Sequence, residues 1–313
     1  MTRPLLLALA LALAACATTP PPPADAPPAP FDHLALEDPQ DRDAGVHTWT
    51  STPWSFRTNS FWIEAPEGVI VIDTQFLTSS AEDLLDHIAT QTDKPVVLAV
   101  VLHPNPDKFN GAEVFQRRGI KVITSAQVLD KVPAVAAQRR RAFAQRYAPH
   151  YPTQDPPLTA FGDATQTLSV AGTQLTLHVL PGPGCSDAHV VATWSGHAFT
   201  GDLVASGTHA WLELGYASPW LDRLDEIAAL QPARVHPGRG PSGGPELLTA
   251  QRAYLERVLA IIRAQDLSAP PSDDAIARVK AQLLAEYPDL TLDIFLFGLA
   301  KVWEREAQRP PAP

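Results

Sequence analysis

The stretch Leu102-His103-Pro104-Asn105-Pro106-Asp107-Lys108-Phe109-Asn110-Gly111 follows an apolar run that extends from Pro95 to Val101. The run is short and rich in β-branched residues, which predicts a buried strand. A histidine, an acid and a lysine thus come just past a strand's C-terminal end. Loops in that position are where layered α/β proteins usually build their sites.

Upstream, Phe61 to Glu64 and Val69 to Asp73 flank Pro66-Glu67-Gly68, which reads as a hairpin with a tight turn. Ser79 is placed to cap a helix through Ala81, Leu84, Leu85 and Ile88. Downstream, Ala112 to Gly119 reads as a short helix and Ile120 to Thr124 as a strand. Residues 126–147 read as an inserted helical segment that covers one side of a cleft. Strands return from Thr165 to Leu180, followed by the loop Pro181-Gly182-Pro183-Gly184-Cys185-Ser186-Asp187. Val190 to Trp194 and Ala198 to Asp202 form a further pair ending on an acid. A helix from Pro219 to Leu230 and a last strand, Ala233 to His236, lead into Pro237-Gly238-Arg239-Gly240. Three C-terminal helices follow: Glu246 to Gln265, Asp274 to Glu286 and Leu292 to Glu306. The last is apolar on so much of its surface that it should dock on the body. The alternation of strands and helices argues for a layered α/β domain.

Four loops at strand ends present polar residues, centred on His103 to Lys108, Cys185, Asp202 and Arg239. With the hairpin, Thr200-Gly201-Asp202 and Pro237-Gly238-x-Gly240, this frame resembles the metallo-β-lactamase superfamily from about Val46 to Gly240. The resemblance implies a four-layer αββα sandwich with C-terminal helices. It also implies boundaries at 33–243 for the metallo-β-lactamase-like domain and at 244–313 for a helical extension packed on it.

In that family seven side chains typically hold two metals, with a His-x-His-x-Asp-His loop at the centre. Here His103, Asp107 and Asp202 match in type, while Asn105, Lys108, Cys185 and Arg239 replace histidines. Lysine and arginine donate without accepting and stay cationic at neutral pH, so neither should ligate. Lys108 and Arg239 would instead neutralise the carboxylates that a second metal otherwise holds. His103, Cys185 and Asp202 are chemically able to form a single zinc site. Two cofactor states follow, one zinc ion or none. The resemblance marks His103, Asp107 and Cys185 as catalytic, with Asn105, Lys108 and Arg239 lining the pocket. Without metal, Cys185 could serve as nucleophile with His103 as base, its pKa lowered by the two cations. Each residue also has a plainer reading. His103 could be a hydrogen-bonded loop histidine, Asp107 a helix cap, and Cys185 an inert buried thiol. His189, His209 and His236 read as structural, and Trp211, Tyr216 and Trp220 as core.

At the N-terminus, Arg3, an apolar stretch from Leu5 to Leu13 and Leu13-Ala14-Ala15-Cys16 resemble a bacterial lipoprotein signal. The stretch is far shorter than the roughly 20 residues of a spanning helix. Residues 1–15 would be removed and Cys16 lipidated, with 16–32 forming a Pro- and Ala-rich spacer. The second cysteine of the chain, Cys185, would then have no disulfide partner. The formal charge is −10, or −11 once Arg3 leaves with the signal, which disfavours nucleic acid as a partner. Arg139-Arg140-Arg141 with Arg146 reads as a solvated helix face. The sequence thus points to an exported, lipid-anchored protein in one of two classes. One is a hydrolase acting on a small-molecule substrate through an altered site. The other is a non-catalytic descendant that binds a small anionic ligand or a protein partner.

Overall fold

A computed structural model describes residues 33–34 and 38–309, so the signal, Cys16 and the spacer lie outside the described residues. The first sheet runs, in spatial order, β1 (His33–Leu34), β2 (Val46–Ser51), β3 (Asn59–Ala65), β4 (Gly68–Ile72), β5 (Val96–Val100), β6 (Lys121–Thr124) and β7 (Thr159–Ala160). The second runs in reverse chain order: β12 (Arg234–Arg239), β11 (His197–Ala205), β10 (His189–Trp194), β9 (Thr173–Leu180) and β8 (Gln166–Val170). Among the helices, α1 (Pro39–Asp43) precedes the hairpin. Then α2 (Thr78–Gln91), α3 (Pro106–Phe109), α4 (Ala112–Arg117) and α5 (Ala126–Phe143) belong to the first half. The outer layer of the second sheet comprises α6 (Ala217–Ala229), α7 (Glu246–Arg263), α8 (Asp273–Glu286) and α9 (Leu299–Ala307). This is the αββα sandwich that the sequence implies.

The hairpin forms as expected, pairing Phe61 with Ile72 and Ala65 with Gly68. Every residue of β4 is buried, as a strand covered on both faces requires. β5 and β6 then add in parallel through the crossover helices α2 and α4. The core between the sheets joins Trp49, Phe61, Ile70 and Val100 to Phe199 and Val190. A second core lies between β11 and the outer helices, with Trp220 donating its indole N–H to the Leu203 carbonyl at 2.9 Å. A third, aromatic cluster of Phe76, Tyr147 and Tyr151, packed by Phe56 and Phe143, seats the end of α5 beside the first sheet. α4 enters so closely that a Cβ on Gly111 would lie 1.9 Å from the Thr74 carbonyl oxygen. Only glycine allows that approach.

Three expectations are corrected. α2 starts at Thr78 after Leu77, which makes no side-chain cap, so Ser79 is not the cap. The third C-terminal helix is split, because Leu292 takes φ 64° and Asp293–Gly298 form a 3-10 turn before α9. That segment docks through Phe295, Leu299, Val302 and Trp303 but leaves Ile294 and Phe297 exposed. β11 runs past Asp202 to Ala205, and β12 runs through Arg239, so both residues are held within strands and not in loops after them. Among the described residues no helix is long and apolar enough to cross a membrane.

Candidate functional site

The ends of β4 and β5, the α3 turn, β11 and β12 converge on one buried cluster of charge. Lys108 is fully buried, and its ammonium lies 3.0 Å from Asp202 Oδ1, 3.2 Å from Asp107 Oδ2 and 3.7 Å from Asp73 Oδ2. Arg239 bridges two of these acids, with Nη2 2.9 Å from Asp107 Oδ2 and Nη1 2.5 Å from Asp202 Oδ2. Its Nε donates to the Phe56 carbonyl at 3.1 Å. The backbone is shaped for these contacts. Asp73 takes φ 64° as it leaves β4, and its Oδ1 accepts the Leu102 N–H at 2.9 Å. Asp202 sits where the β11–β12 register shifts, an irregularity of the kind that re-aims side chains. A Cβ on Gly238 would fall 2.1 Å from Asp202 Oδ1, so β12 must be glycine there. Asn59 ties the end of β12 to the first sheet by donating to the Pro237 and Gly240 carbonyls.

Electrostatics follow from this packing. Burial alone would raise the Asp202 pKa, but Arg239 and then Lys108 outweigh it and hold the carboxyl well below its usual range. Asp107 is also held low, burial being outweighed by Lys108 and Arg239. Burial opposes the charge on Lys108, yet Asp107, Asp202 and Asp73 together raise its pKa. Asp73 is different: burial dominates and pushes it up to about 6. Three carboxylates face two cations, and the third carboxylate is the one that takes a proton most readily.

His103 and Cys185 lie at the edge of this cluster. His103 is fully buried with Nε2 3.5 Å from Asp202 Oδ2. The Cys185 thiol faces His189 Nε2 at 3.3 Å, and that nitrogen also accepts the Ser186 N–H at 3.0 Å. Burial, with Asp202 adding to it, pushes the thiol pKa well up, while burial pushes His189 well down. The pair is a neutral thiol on a neutral imidazole. The expectation of a lowered Cys185 pKa with His103 as its base is therefore corrected on both counts.

A mononuclear zinc on His103, Cys185 and Asp202 does not fit either. Cys185 is turned to His189, and each Asp202 oxygen already has a cation at 2.5 or 3.0 Å. His103 and Asp202 then remain as two donors beside two cations, whereas zinc sites use three or four protein ligands. Among the described residues, the trio whose ligand atoms do converge within 4.8 Å is Asp41, His197 and His236. Its geometry favours hydrogen bonding over metal. His197 Nδ1 and His236 Nε2 lie 2.8 Å apart in nearly coplanar rings (11°) whose centroids are 5.1 Å apart. Those distances aim the two nitrogens straight at each other, as a shared proton needs, and not at a common third point. His236 Nδ1 meets Ser242 Oγ at 2.8 Å, and Arg234 holds both Asp41 oxygens at 2.8 Å.

A narrow cleft, with about 30 Å³ of enclosed space, opens above the charge cluster. Asn105, Asp107, Asp202 and Arg239 reach it, while Phe56, Phe76, Phe143, Trp211 and Phe295 wall it. His103, Lys108 and Cys185 lie behind, buried. α5 does cover one side, as read from the sequence. Arg139, however, is no solvated residue: it bonds Glu213, lies over the Trp211 ring at 5.7 Å and lines the cleft. Asp107 caps nothing, since Asn105 is the α3 cap position and makes no side-chain cap bond. Of the aromatic residues, Trp211 lines the cleft and Trp220 is core. Sequence reasoning missed Asp73 and His189. The one available signal for Asp73 is an acid closing an otherwise apolar strand.

Comparison with known proteins supports this frame. The family model of the metallo-beta-lactamase superfamily, whose members usually bind zinc, matches residues 53–239. No curated protein matches the chain. Among solved structures, a metallo-beta-lactamase from Pontibacter korlensis is similar at 24% identity and TM-score 0.54, over 68% of this chain and 95% of that one. The metallo-beta-lactamase FIM-1 from Pseudomonas aeruginosa, in its mono-zinc form, is similar at 21% identity and TM-score 0.56, over 75% and 97%. At these identities the likeness is one of fold.

The raised Asp73 pKa makes a signed prediction. A carboxyl shifted from 3.8 to about 6 contributes stability below pH 3.8 that is lost as the pH rises through about 6. The loss amounts to about 3 kcal/mol. Urea unfolding across this window should show wild type losing that much relative to Asp73→Asn. Parallel stability curves for the two proteins would contradict the assignment.

Proposed function

Because this chain belongs to the metallo-β-lactamase superfamily yet sets two cations of its own among the acids, we propose that it is a membrane-anchored, hydrolase-like member with a metal-free site. It binds a small molecule in the aromatic cleft and does not cleave one with metal-bound hydroxide. Membership supports a hydrolase type of function at the level of the fold. The observation that carries the finer reading is the Lys108 ammonium, within 3.7 Å of three carboxylates. A divalent ion placed there would meet two cations in a site of low dielectric, where like charges repel strongly.

The same charge inventory changes the ligand class. Lys108 and Arg239 are spent on Asp73, Asp107 and Asp202, and Arg139 on Glu213. An anion would find no unpaired cation at the floor of the cleft. A compact, largely apolar ligand suits the walls, with Asn105 to meet a neutral polar group. A Cys185-based hydrolase is disfavoured by a thiol that is buried, protonated and behind the cleft.

Two experiments test this. The full chain, loaded with zinc and dialysed, should retain the same metal content as its Asp202→Asn variant. Replacing Asn105, Lys108, Cys185 and Arg239 together by His should create zinc binding. A stoichiometric zinc in the wild type that Asp202→Asn removes would sink the metal-free reading. For anchoring, which rests on the Leu13 to Cys16 motif, Cys16→Ser should shift the protein from the membrane to the soluble fraction. An unchanged distribution would argue against lipidation there.

A further inference from the structure

The outer half of the second sheet carries a separate feature. Between Asp163 and Asp202 the sequence holds a single charged side chain, Asp187, although 19% of the whole chain is charged. This stretch forms β8, β9 and β10. Their registers pair Thr167 with Thr176, Ser169 with Gln174, and Thr176 with Thr193, which puts all five on one face. Cross-strand bonds confirm the shared face: Thr167 to Thr176 at 2.9 Å, Gln174 to Ser169 at 2.8 Å and His178 to Thr193 at 2.8 Å. The helices of this layer cover β11, leaving Thr167, Ser169 and Gln174 exposed. At the β10–β11 turn the face runs into a cavity of about 280 Å³. Gln174, Thr176, His178, Thr193, Trp194 and His197 are among its lining residues, and none of its lining side chains is an acid, a lysine or an arginine.

We infer that this face and cavity bind an uncharged oligosaccharide. Hydroxyl and amide side chains both donate and accept, as sugar hydroxyls do. The cross-strand bonds fix their rotamers while leaving each hydroxyl spare capacity, so less entropy is lost on binding. Trp194 turns to the opposite face, where its Nε1–H bonds Thr173 and its ring packs on the core between the sheets, so recognition rests on the hydroxyl and amide groups of the cavity. At about 280 Å³ the cavity is close to the lower end of the range of about 300–1,000 Å³ usual for small-molecule sites. The lack of charge selects the ligand: a charged sugar would lose hydration there and find no counter-ion. Burial lowers the His178 pKa, so that ring too is uncharged at neutral pH. This site is separate from the cleft and does not rest on the reading of the cleft.

The test uses the full chain in a non-glycosidic detergent, titrated with chitotetraose, cellotetraose and maltotetraose and followed by calorimetry. Tetragalacturonate serves as the charged control. At least one neutral tetrasaccharide should bind saturably, and the control should neither bind nor compete. Thr176→Glu places a charge on the face without touching the core and should weaken binding by at least about ten-fold. Thr193→Glu should do the same, and an unchanged melting temperature for Thr176→Glu guards against misfolding. The proposal is overturned if no neutral sugar binds, or if binding ignores both variants. It is also overturned if Thr176→Glu alters only sedimentation, because β8 is a sheet edge that a second copy could extend.

Discussion

A lysine ammonium buried among three carboxylates is the constraint on which the rest of this structure depends. Taking such charges out of water costs several kcal/mol per ion, and only close pairing offsets it. Lys108 gains that pairing from β4, the α3 turn and β11, and Arg239 adds β12. Both sheets are therefore tied to one another by charge as well as by their shared core. The network also fixes geometry, since Asp73 and Asp202 have both oxygens, and Asp107 its Oδ2, beside named partners.

That commitment separates architecture from chemistry. The sandwich keeps the strand-end loops, the hairpin and the irregular β11–β12 pairing that shape a site at this end of the molecule. Its charged residues, however, are paired with one another as ions beneath the cleft. What reaches the ligand space is mostly aromatic, with Arg239 lying under the Phe295 ring at 4.8 Å and Arg139 against Trp211. The residues with nucleophilic or basic character, Cys185, His189 and His103, form a second buried shell behind it. A centre so arranged is suited to holding a shape and a ligand.

Much of the fold was legible in the sequence because apolar periodicity reports burial directly. The run before His103, the hairpin at Pro66-Glu67-Gly68 and the α2 stripe of Ala81, Leu84, Leu85 and Ile88 all follow from it. The grouping of His103, Asp107, Lys108, Asp202 and Arg239 was legible through the resemblance to the family's frame, although Asp202 and Arg239 lie within strands and not past their ends. What was not legible is which polar group pairs with which. Asp73 looked like the end of a strand, and Arg139 like part of a solvated face. Cys185 looked available to His103, yet four residues on, His189 faces it instead. Local pattern also misjudged the C-terminal segment: its apolar breadth suggested one helix, whereas Leu292 breaks the backbone and a 3-10 turn brings Phe295 to the cleft.

The most direct test of the account is a double-mutant cycle between Lys108 and Asp202, read as unfolding free energy at neutral pH. Lys108→Met alone strands buried carboxylates and should cost about 3–5 kcal/mol. Adding Asp202→Asn should recover part of that loss, giving a coupling of about 1–3 kcal/mol. Failure of Lys108→Met to fold, with the double variant folded, would carry the same meaning. Additive effects, with each change costing the same in either background, would contradict the claim that the buried lysine is held by its carboxylate partners.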